Sequence, residues 1–148
     1  MEDRNISINR PFRILGIDHV VIRTTDIDRA LTFYCDVLGC EVERKVNHLG
    51  LIQLRAGTAM IDLLDVNSSK VRQVVSNSNS SSGHVVDHIC LQIENFENDH
   101  LMEYFKAQNI DFGDVTQRYG ANGYGPSLYI IDPDGNTLEL KGLVNINE

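Results

Sequence analysis

Basic residues, cysteines and long apolar runs are all scarce in this sequence of 148 residues. Thirteen Lys and Arg stand against 21 Asp and Glu, which gives a formal net charge of −8. Binding to nucleic acid or to an anionic membrane needs a cationic surface instead. No run approaches the roughly 18–20 consecutive apolar residues of a membrane span. We therefore expect no nucleic-acid partner and no membrane association.

The cysteines and the N-terminal residues predict the compartment. Cys35, Cys40 and Cys90 are an odd number without the spacing of a metal clip, which favours reduced thiols. The first eleven residues carry charged side chains and no apolar core, so they do not resemble a signal peptide. Together these features predict a cytoplasmic protein.

The sequence contains an internal repeat. Asp18-His19-Val20-Val21-Ile22 recurs as Asp87-His88-Ile89-Cys90-Leu91, 69 residues later. Seven residues after each histidine comes a residue that can cap a helix, Asp26 in the first copy and Asn95 in the second. The repeat therefore predicts a strand followed by a helix in each copy.

Each predicted helix has an end signal, Gly39 in the first copy and Asn109 in the second. In the first helix, apolar side chains at helical spacing predict the buried face, namely Ala30, Leu31, Tyr34, Val37 and Leu38. Strand-like runs follow at about 40–47, 50–56 and 59–66 in the first copy and at 111–119, 127–132 and 136–143 in the second. Each copy is thus a βαβββ module, and the fold class is α+β.

The spacing of the last strands predicts a longer connection in the second copy. Ile61-Asp62-Leu63 and Leu138-Glu139-Leu140 lie 77 residues apart, eight more than the first strands do. We place the extra residues in the glycine-rich stretch Gly120–Pro126, as a hairpin loop that covers a site. A polar Ser/Asn run predicts a flexible linker between the copies. The predicted organisation is one domain over 14–142, with modules at about 14–66 and 85–142, a linker at 67–84, an N-terminal extension at 1–13 and a tail at 143–148.

Alternation along the strands places the polar residues of both copies on matching faces. His19 and Arg23 share one face of the first strand, and His88 lies on the same face of its counterpart. Asp62 and Glu139 each stand between two apolar residues, so both carboxylates turn away from the helices. If the copies pair by pseudo-twofold symmetry, the two histidines and two carboxylates can converge on one divalent metal, such as Zn, Ni, Mn, Co or Fe.

Three motifs resemble those of the vicinal oxygen chelate superfamily, the group of glyoxalase I, bleomycin-resistance proteins and extradiol dioxygenases. They are Asp-His-Val-Val-Ile at 18–22, Phe-Tyr-x-x-Val-Leu-Gly at 33–39 and Asp-Pro-Asp-Gly-Asn-x-x-Glu-Leu at 132–140. The resemblance covers about residues 14–142. It implies a cupped mixed sheet built by two βαβββ modules, with helices on the outer face, a divalent metal in the cup and often a homodimer.

The family's four metal positions fall on His19, Asp62, His88 and Glu139. Glyoxalase I usually has Glu where this chain has Asp62, and without that ligand the set becomes a two-histidine, one-carboxylate triad. The resemblance implies a metal-dependent, lactoylglutathione lyase-like enzyme that chelates vicinal oxygens of a small substrate and stabilises an oxyanion or enediolate. Glu139 or Asp62 would act as general base. Arg23 would hold a substrate carboxylate, and a thiol such as glutathione would be a co-substrate.

Other members of the family provide alternative functions. Ser127, Tyr129 and Glu139 keep the spacing of fosfomycin-type thiol transferases, which makes Ser127 and Tyr129 candidate substrate-binding residues. The basic residues that a phosphonate needs are not expected in this region, because Tyr119 stands where a lysine would be. Dioxygenation would fit the triad. A drug-binding protein of the bleomycin-resistance type would need no metal, so metal analysis separates that class from the enzymes.

Overall fold

The computed structural model describes residues 11–68 and 86–143 and forms one four-stranded sheet from each copy of the repeat. The first module contains β1 (His19–Thr24), α1 (Ile27–Leu31, continued by a π-helical turn over Thr32–Val37), β2 (Glu41–Val46), a 3-10 turn (Asn47–Leu49), β3 (Leu51–Ala56) and β4 (Ala59–Asp65). The second contains β5 (His88–Ile93), α2 (Asn98–Ala107), β6 (Thr116–Gly120), β7 (Gly123–Ile131) and β8 (Thr137–Gly142).

The two sheets have the same topology. Their strand orders are β1-β4-β3-β2 and β5-β8-β7-β6. In each sheet the first and last strands of the module pair in parallel, and the other neighbours pair antiparallel. The predicted α+β class and the two βαβββ modules are confirmed.

The predicted loop at Gly120–Pro126 is mostly strand, and only Ala121 and Asn122 form its turn. At the start of β3, Leu51 pairs with Leu64, and the equivalent pair in the second module is Ser127 with Lys141. However, β7 begins at Gly123, four residues before Ser127. The second module therefore has a longer β6–β7 hairpin. We call residues 117–126 the hairpin extension.

The helix signals were correct except at the start of α2. Asp26 caps α1, since its side chain accepts a hydrogen bond from the backbone N–H of Arg29. In α2 the cap is Glu97, whereas Asn95 adopts a left-handed backbone with a φ of 53°. Asn95 therefore turns the chain before the helix and does not cap it, which corrects the predicted cap.

The π-helical turn of α1 changes its buried face from the predicted one. The backbone N–H of Leu38 donates to the carbonyl of Phe33, five residues back, which widens the turn. As a result Phe33 and Tyr34 are both buried, and Leu31 and Val37 are only half-buried. Regular 3.6-residue spacing does not predict two adjacent buried aromatic residues.

The modules share one hydrophobic core. It contains side chains from both sheets, including Leu54 and Leu63 of the first and Leu128 and Leu138 of the second. The Tyr34 hydroxyl donates across the module boundary to Asp132 Oδ2 at 2.7 Å. Burial raises the pKa of that phenol, so it remains a donor. The apolar faces of both sheets are thus occupied by packing, and chemistry is left to the opposite faces.

Parts of the predicted flanking segments lie outside the described residues. Residues 1–10 of the predicted N-terminal extension, 69–84 of the linker and 144–148 of the tail lie outside them. Within residues 11–68 and 86–143, neither helix has the length and apolar character needed to cross a membrane.

Candidate metal and substrate site

The faces of β1 follow the predicted alternation. His19, Val21 and Arg23 are exposed, while Ile22 and Thr24 are buried against the core. The histidine therefore lies on the sheet face that the helices do not cover.

The first module pairs His19 with Asp62 on this face. Asp62 is 3% exposed, and the side chain of Gln53 on β3 donates to its Oδ2 at 2.9 Å. Its other oxygen, Oδ1, is buried and has no hydrogen-bond partner among the residues that the structure describes. His19 Nδ1 lies 2.6 Å from Asp18 Oδ1. This hydrogen bond, together with the negative charges of Asp62 and Asp18, raises the pKa of His19.

The second module repeats the arrangement with a longer carboxylate. Glu139 is 6% exposed, and its Oε1 accepts a hydrogen bond of 2.6 Å from the Ser127 hydroxyl. Its Oε2 lies 3.1 Å from His88 Nε2. His88 Nδ1 in turn lies 2.7 Å from Asp87 Oδ2. Both modules thus contain an Asp–His pair and a carboxylate with one oxygen already hydrogen-bonded.

These contacts suit a divalent cation. An aspartate on Nδ1 orients an imidazole so that the lone pair of Nε2 is free to act as a ligand, as second-shell carboxylates do in metal sites. In the second module that lone pair faces a carboxylate oxygen, and two acceptors at such a distance need a proton or a cation between them. In the first, Asp62 Oδ1 has no hydrogen-bond donor within the described part of the chain, and a cation would satisfy this buried carboxylate oxygen. The residues present therefore fit a metal.

The structure brings one predicted ligand pair into contact and places the other on one sheet face. His88 lies 3.1 Å from Glu139, and His19 shares a face of the first sheet with Asp62. Among residues 11–68 and 86–143 of one chain, no three histidine, cysteine or carboxylate side chains are grouped to hold a metal. Arg23, the predicted substrate-binding residue of β1, lines a cleft together with His88 and Val86 at the start of β5. Each module of one chain thus contributes half of the predicted ligand set.

Ser127 and Tyr129, the other predicted substrate-binding residues, both lie next to the second pair. Ser127 is fully buried and is hydrogen-bonded to Glu139. The Tyr129 ring packs edge-on against His88, with 5.3 Å between centroids. Ser127 therefore orients the carboxylate, and Tyr129 forms a wall beside the histidine.

Two basic residues lie on this face that sequence reasoning missed. The Arg118 guanidinium lies over the Tyr129 ring, 4.8 Å from its centroid, and Lys141 is buried two residues after Glu139 on β8. The expectation that this region lacks basic residues was therefore wrong. Strand alternation was the available signal, since residues at i and i+2 share a face.

Comparisons with known proteins agree with this architecture. The profile of the Glyoxalase/Bleomycin resistance protein/Dioxygenase superfamily matches residues 16–140. The uncharacterized protein YwbC of Bacillus subtilis (strain 168) is 32% identical over 128 residues, which cover 84% of this chain and 94% of that protein.

Two relatives have names that state an activity. The mitochondrial methylmalonyl-CoA epimerase of Dictyostelium discoideum is 27% identical over 113 residues, which cover 72% of this chain and 65% of that protein. The crystal structure of lactoylglutathione lyase from Agrobacterium tumefaciens superposes with a TM-score of 0.61 at 27% identity, covering 90% of this chain and 96% of that one. With the family profile matching most of its length, the chain belongs to the Glyoxalase/Bleomycin resistance protein/Dioxygenase superfamily.

Proposed function

We propose that this protein is a divalent-metal-dependent lyase or isomerase that binds vicinal oxygens of a small substrate. The observation that carries the proposal is the repeated half-site, in which each module presents a histidine tied at Nδ1 to an aspartate and a carboxylate with one oxygen hydrogen-bonded. Family membership supports it. The names of the epimerase and the lyase denote thiol conjugates of small oxygenated acids, and we infer the same substrate class.

We further propose that a homodimer completes the site, with His19 and Asp62 from one chain and His88 and Glu139 from the other. Two apolar residues that immediately precede the Asp–His pairs support this arrangement, since Ile17 is 84% exposed and Val86 62% exposed. Exposed apolar residues beside incomplete sites favour coverage by a partner. A twofold axis would bring each half-site onto the complementary half of the second chain, which gives two equivalent sites.

A divalent cation at these ligands would act as a Lewis acid that polarises a substrate carbonyl. The protein side chains would supply proton transfer and orientation. Because Ser127 occupies Oε1 of Glu139, Oε2 is the oxygen left to take a proton from substrate. Gln53 leaves Oδ1 of Asp62 free in the same way. Arg23 would bind an anionic group of the substrate through its guanidinium.

The metal and the dimer can be tested together. The purified chain is titrated with Ni²⁺ or Zn²⁺, its metal content is measured after dialysis, and its mass in solution is determined by light scattering. We expect one metal per chain in a dimer, and loss of the metal in His88→Ala. His48→Ala is the matched control, because His48 lies in the turn before β3 and should leave the metal content unchanged.

A complementation experiment decides whether the site is shared between chains. His19→Ala and His88→Ala chains are co-expressed with different tags. In a shared site, each mixed dimer regains one intact ligand set, so the mixture should bind about a quarter of the wild-type amount of metal per chain. No recovery would reject the shared site. Absence of metal from the wild-type protein would reject the enzyme and favour the drug-binding alternative.

A further inference from the structure

Lys141 is a buried cation without a hydrogen-bond partner among residues 11–68 and 86–143. The residue is 4% exposed, and within those residues nothing accepts a hydrogen bond from its buried Nζ. The equivalent residue in the first module is Leu64. It lies two residues after Asp62 on β4, as Lys141 lies two residues after Glu139 on β8, and each pairs with the preceding strand of its sheet. An apolar side chain therefore fills the same place in the sheet, and packing alone does not require a lysine.

Two glycines of the hairpin extension lie against this lysine. A Cβ on Gly125 would lie 2.6 Å from the Gly142 carbonyl oxygen and 3.0 Å from Lys141 Nζ, and a Cβ on Gly120 would lie 3.2 Å from Lys141 Cε. The backbone of Gly142 therefore requires glycine at 125 in the first place, and both glycines lie against the lysine side chain. At the tip of the hairpin extension, the Asn122 side chain donates a hydrogen bond of 2.7 Å to Gln92 Oε1 on β5. The first module has no such extension, since its strands stop at the turn over Asn47–Leu49.

Arg118 is a second cation in the hairpin extension. It lies on β6 opposite Gly125, and its buried Nε has no hydrogen-bond partner in the part of the chain that the structure describes. Its guanidinium lies over Tyr129, whose ring packs against His88. Within the described residues, the second half-site is therefore flanked by a buried lysine Nζ and by the buried Nε of a half-buried arginine, both without a hydrogen-bond partner. Buried charges without partners are costly to maintain, and a negatively charged ligand group would remove that cost.

We propose that Lys141 and Arg118 bind a carboxylate of the substrate beside the His88–Glu139 half-site. This inference rests on the proposed function for the identity of the ligand as substrate. The strand rise puts the Cα atoms of Glu139 and Lys141 about 7 Å apart, so the carboxylate lies a few bonds from the reacting oxygens. A monoanion fits better than a phosphate dianion, because Glu139 already places one negative charge on this face.

The test uses Lys141→Met, which keeps the stem between the two glycines and removes only the charge. Propionate is titrated into the metal-free full chain at constant ionic strength, and binding is followed by amide NMR shifts and by Tm. Inorganic phosphate is titrated in parallel. The matched control is Lys45→Met, an exposed lysine on strand β2 of the other sheet.

We expect propionate to shift the amides of β6 and β8, and its affinity to fall by about tenfold or more in Lys141→Met. The Tm of that variant without ligand should stay level or rise, whereas Lys45→Met should bind like the wild type. Equal propionate binding by wild type and Lys141→Met would overturn the proposal, as would a lower Tm with unchanged binding. Tighter binding of phosphate than of propionate would overturn the carboxylate assignment. Because no metal takes part, the result is independent of whether the proposed function holds.

Discussion

The two modules have the same sheet and differ on the face that carries chemistry. In both, a histidine on the first strand lies near a carboxylate on the last, and a side chain of the neighbouring strand binds one carboxylate oxygen. The first module has Asp62 with Gln53 beside it and Leu64 two residues on. The second has Glu139 with Tyr129 beside it and Lys141 two residues on.

This comparison separates the features that both modules share from those found in one module. The strand pairings and the Asp–His pairs recur in both copies, so they belong to the module itself. Among the described residues, the aromatic wall, the buried lysine and the hairpin extension occur in the second module alone. We infer that the first module contributes ligands and Arg23, whereas the second contributes ligands and the other proposed substrate contacts.

The prediction with the largest expected change in the free energy of unfolding tests whether the two modules unfold as one unit. Leu54 and Ile130 are equivalent core positions, since they pair with Ile61 and Leu138, and both are fully buried. Leu54→Ala and Ile130→Ala should each lower the free energy of unfolding by about 2–5 kcal/mol. Because the core is shared, each variant should unfold in a single transition, measured by circular dichroism in urea.

The half-exposed Val42 of β2 provides the control for these core substitutions. Val42→Ala should change the free energy of unfolding far less than either core substitution. Two separate transitions in Leu54→Ala, with the second at the wild-type urea concentration, would contradict a shared core.

The next prediction compares the two carboxylates. Glu139→Gln and Asp62→Asn should each weaken Ni²⁺ binding by at least the roughly 10–100-fold that loss of a second-shell contact costs. Both remove one charge with little change of shape. Calorimetric titration measures the affinities.

Asp62→Glu supplies the matched comparison, because it gives both modules the same carboxylate. We expect it to keep or strengthen metal binding. If Asp62→Asn binds metal as the wild type does, Asp62 is not a ligand, and the set reduces to His19, His88 and Glu139.

The smallest effect concerns the helix ends. Gly39 follows α1 with a φ of 82°, and Asn109 follows α2 with a φ of 55°. A left-handed backbone favours glycine, so Gly39→Ala should lower the free energy of unfolding by about 1 kcal/mol. Nothing lies within 4 Å of the added Cβ, so the cost is conformational.

Gly113 is the control for this helix-end test, since it also has open space around it and no positive φ. Gly113→Ala should leave the free energy of unfolding nearly unchanged. Asn109→Gly should stabilise the protein slightly, and a loss of stability there would show that the asparagine side chain contributes to the helix end.

Much of the fold could be predicted because the sequence contains the same module twice. The offset of 69 residues between the Asp–His pairs and the offset of 77 between the last strands predicted two βαβββ modules and a longer second hairpin. Strand alternation also placed His19 on the exposed face of β1. These signals are local and depend only on period and spacing.

The remaining features depend on contacts between elements. The π-helical turn buries Phe33 beside Tyr34, which helical spacing does not reveal. The glycines at 120 and 125 indicate a loop by composition, but both are strand residues. A Cβ at 120 would meet the Lys141 side chain, and a Cβ at 125 would meet the backbone of Gly142. Likewise no repeat within one chain reveals whether two half-sites meet in that chain or in a dimer.

The turn between β7 and β8 has a consequence for how such sequences are interpreted. The buried carboxylate of Asp132 accepts hydrogen bonds from Tyr34, from the backbone of Asp134, and from the backbone and side chain of Asn136. The Asp-Pro-Asp-Gly-Asn motif therefore stabilises the contact between the two modules. This motif thus indicates how the modules pack together and does not indicate the reaction. The reaction must be inferred from the residues that line the open face.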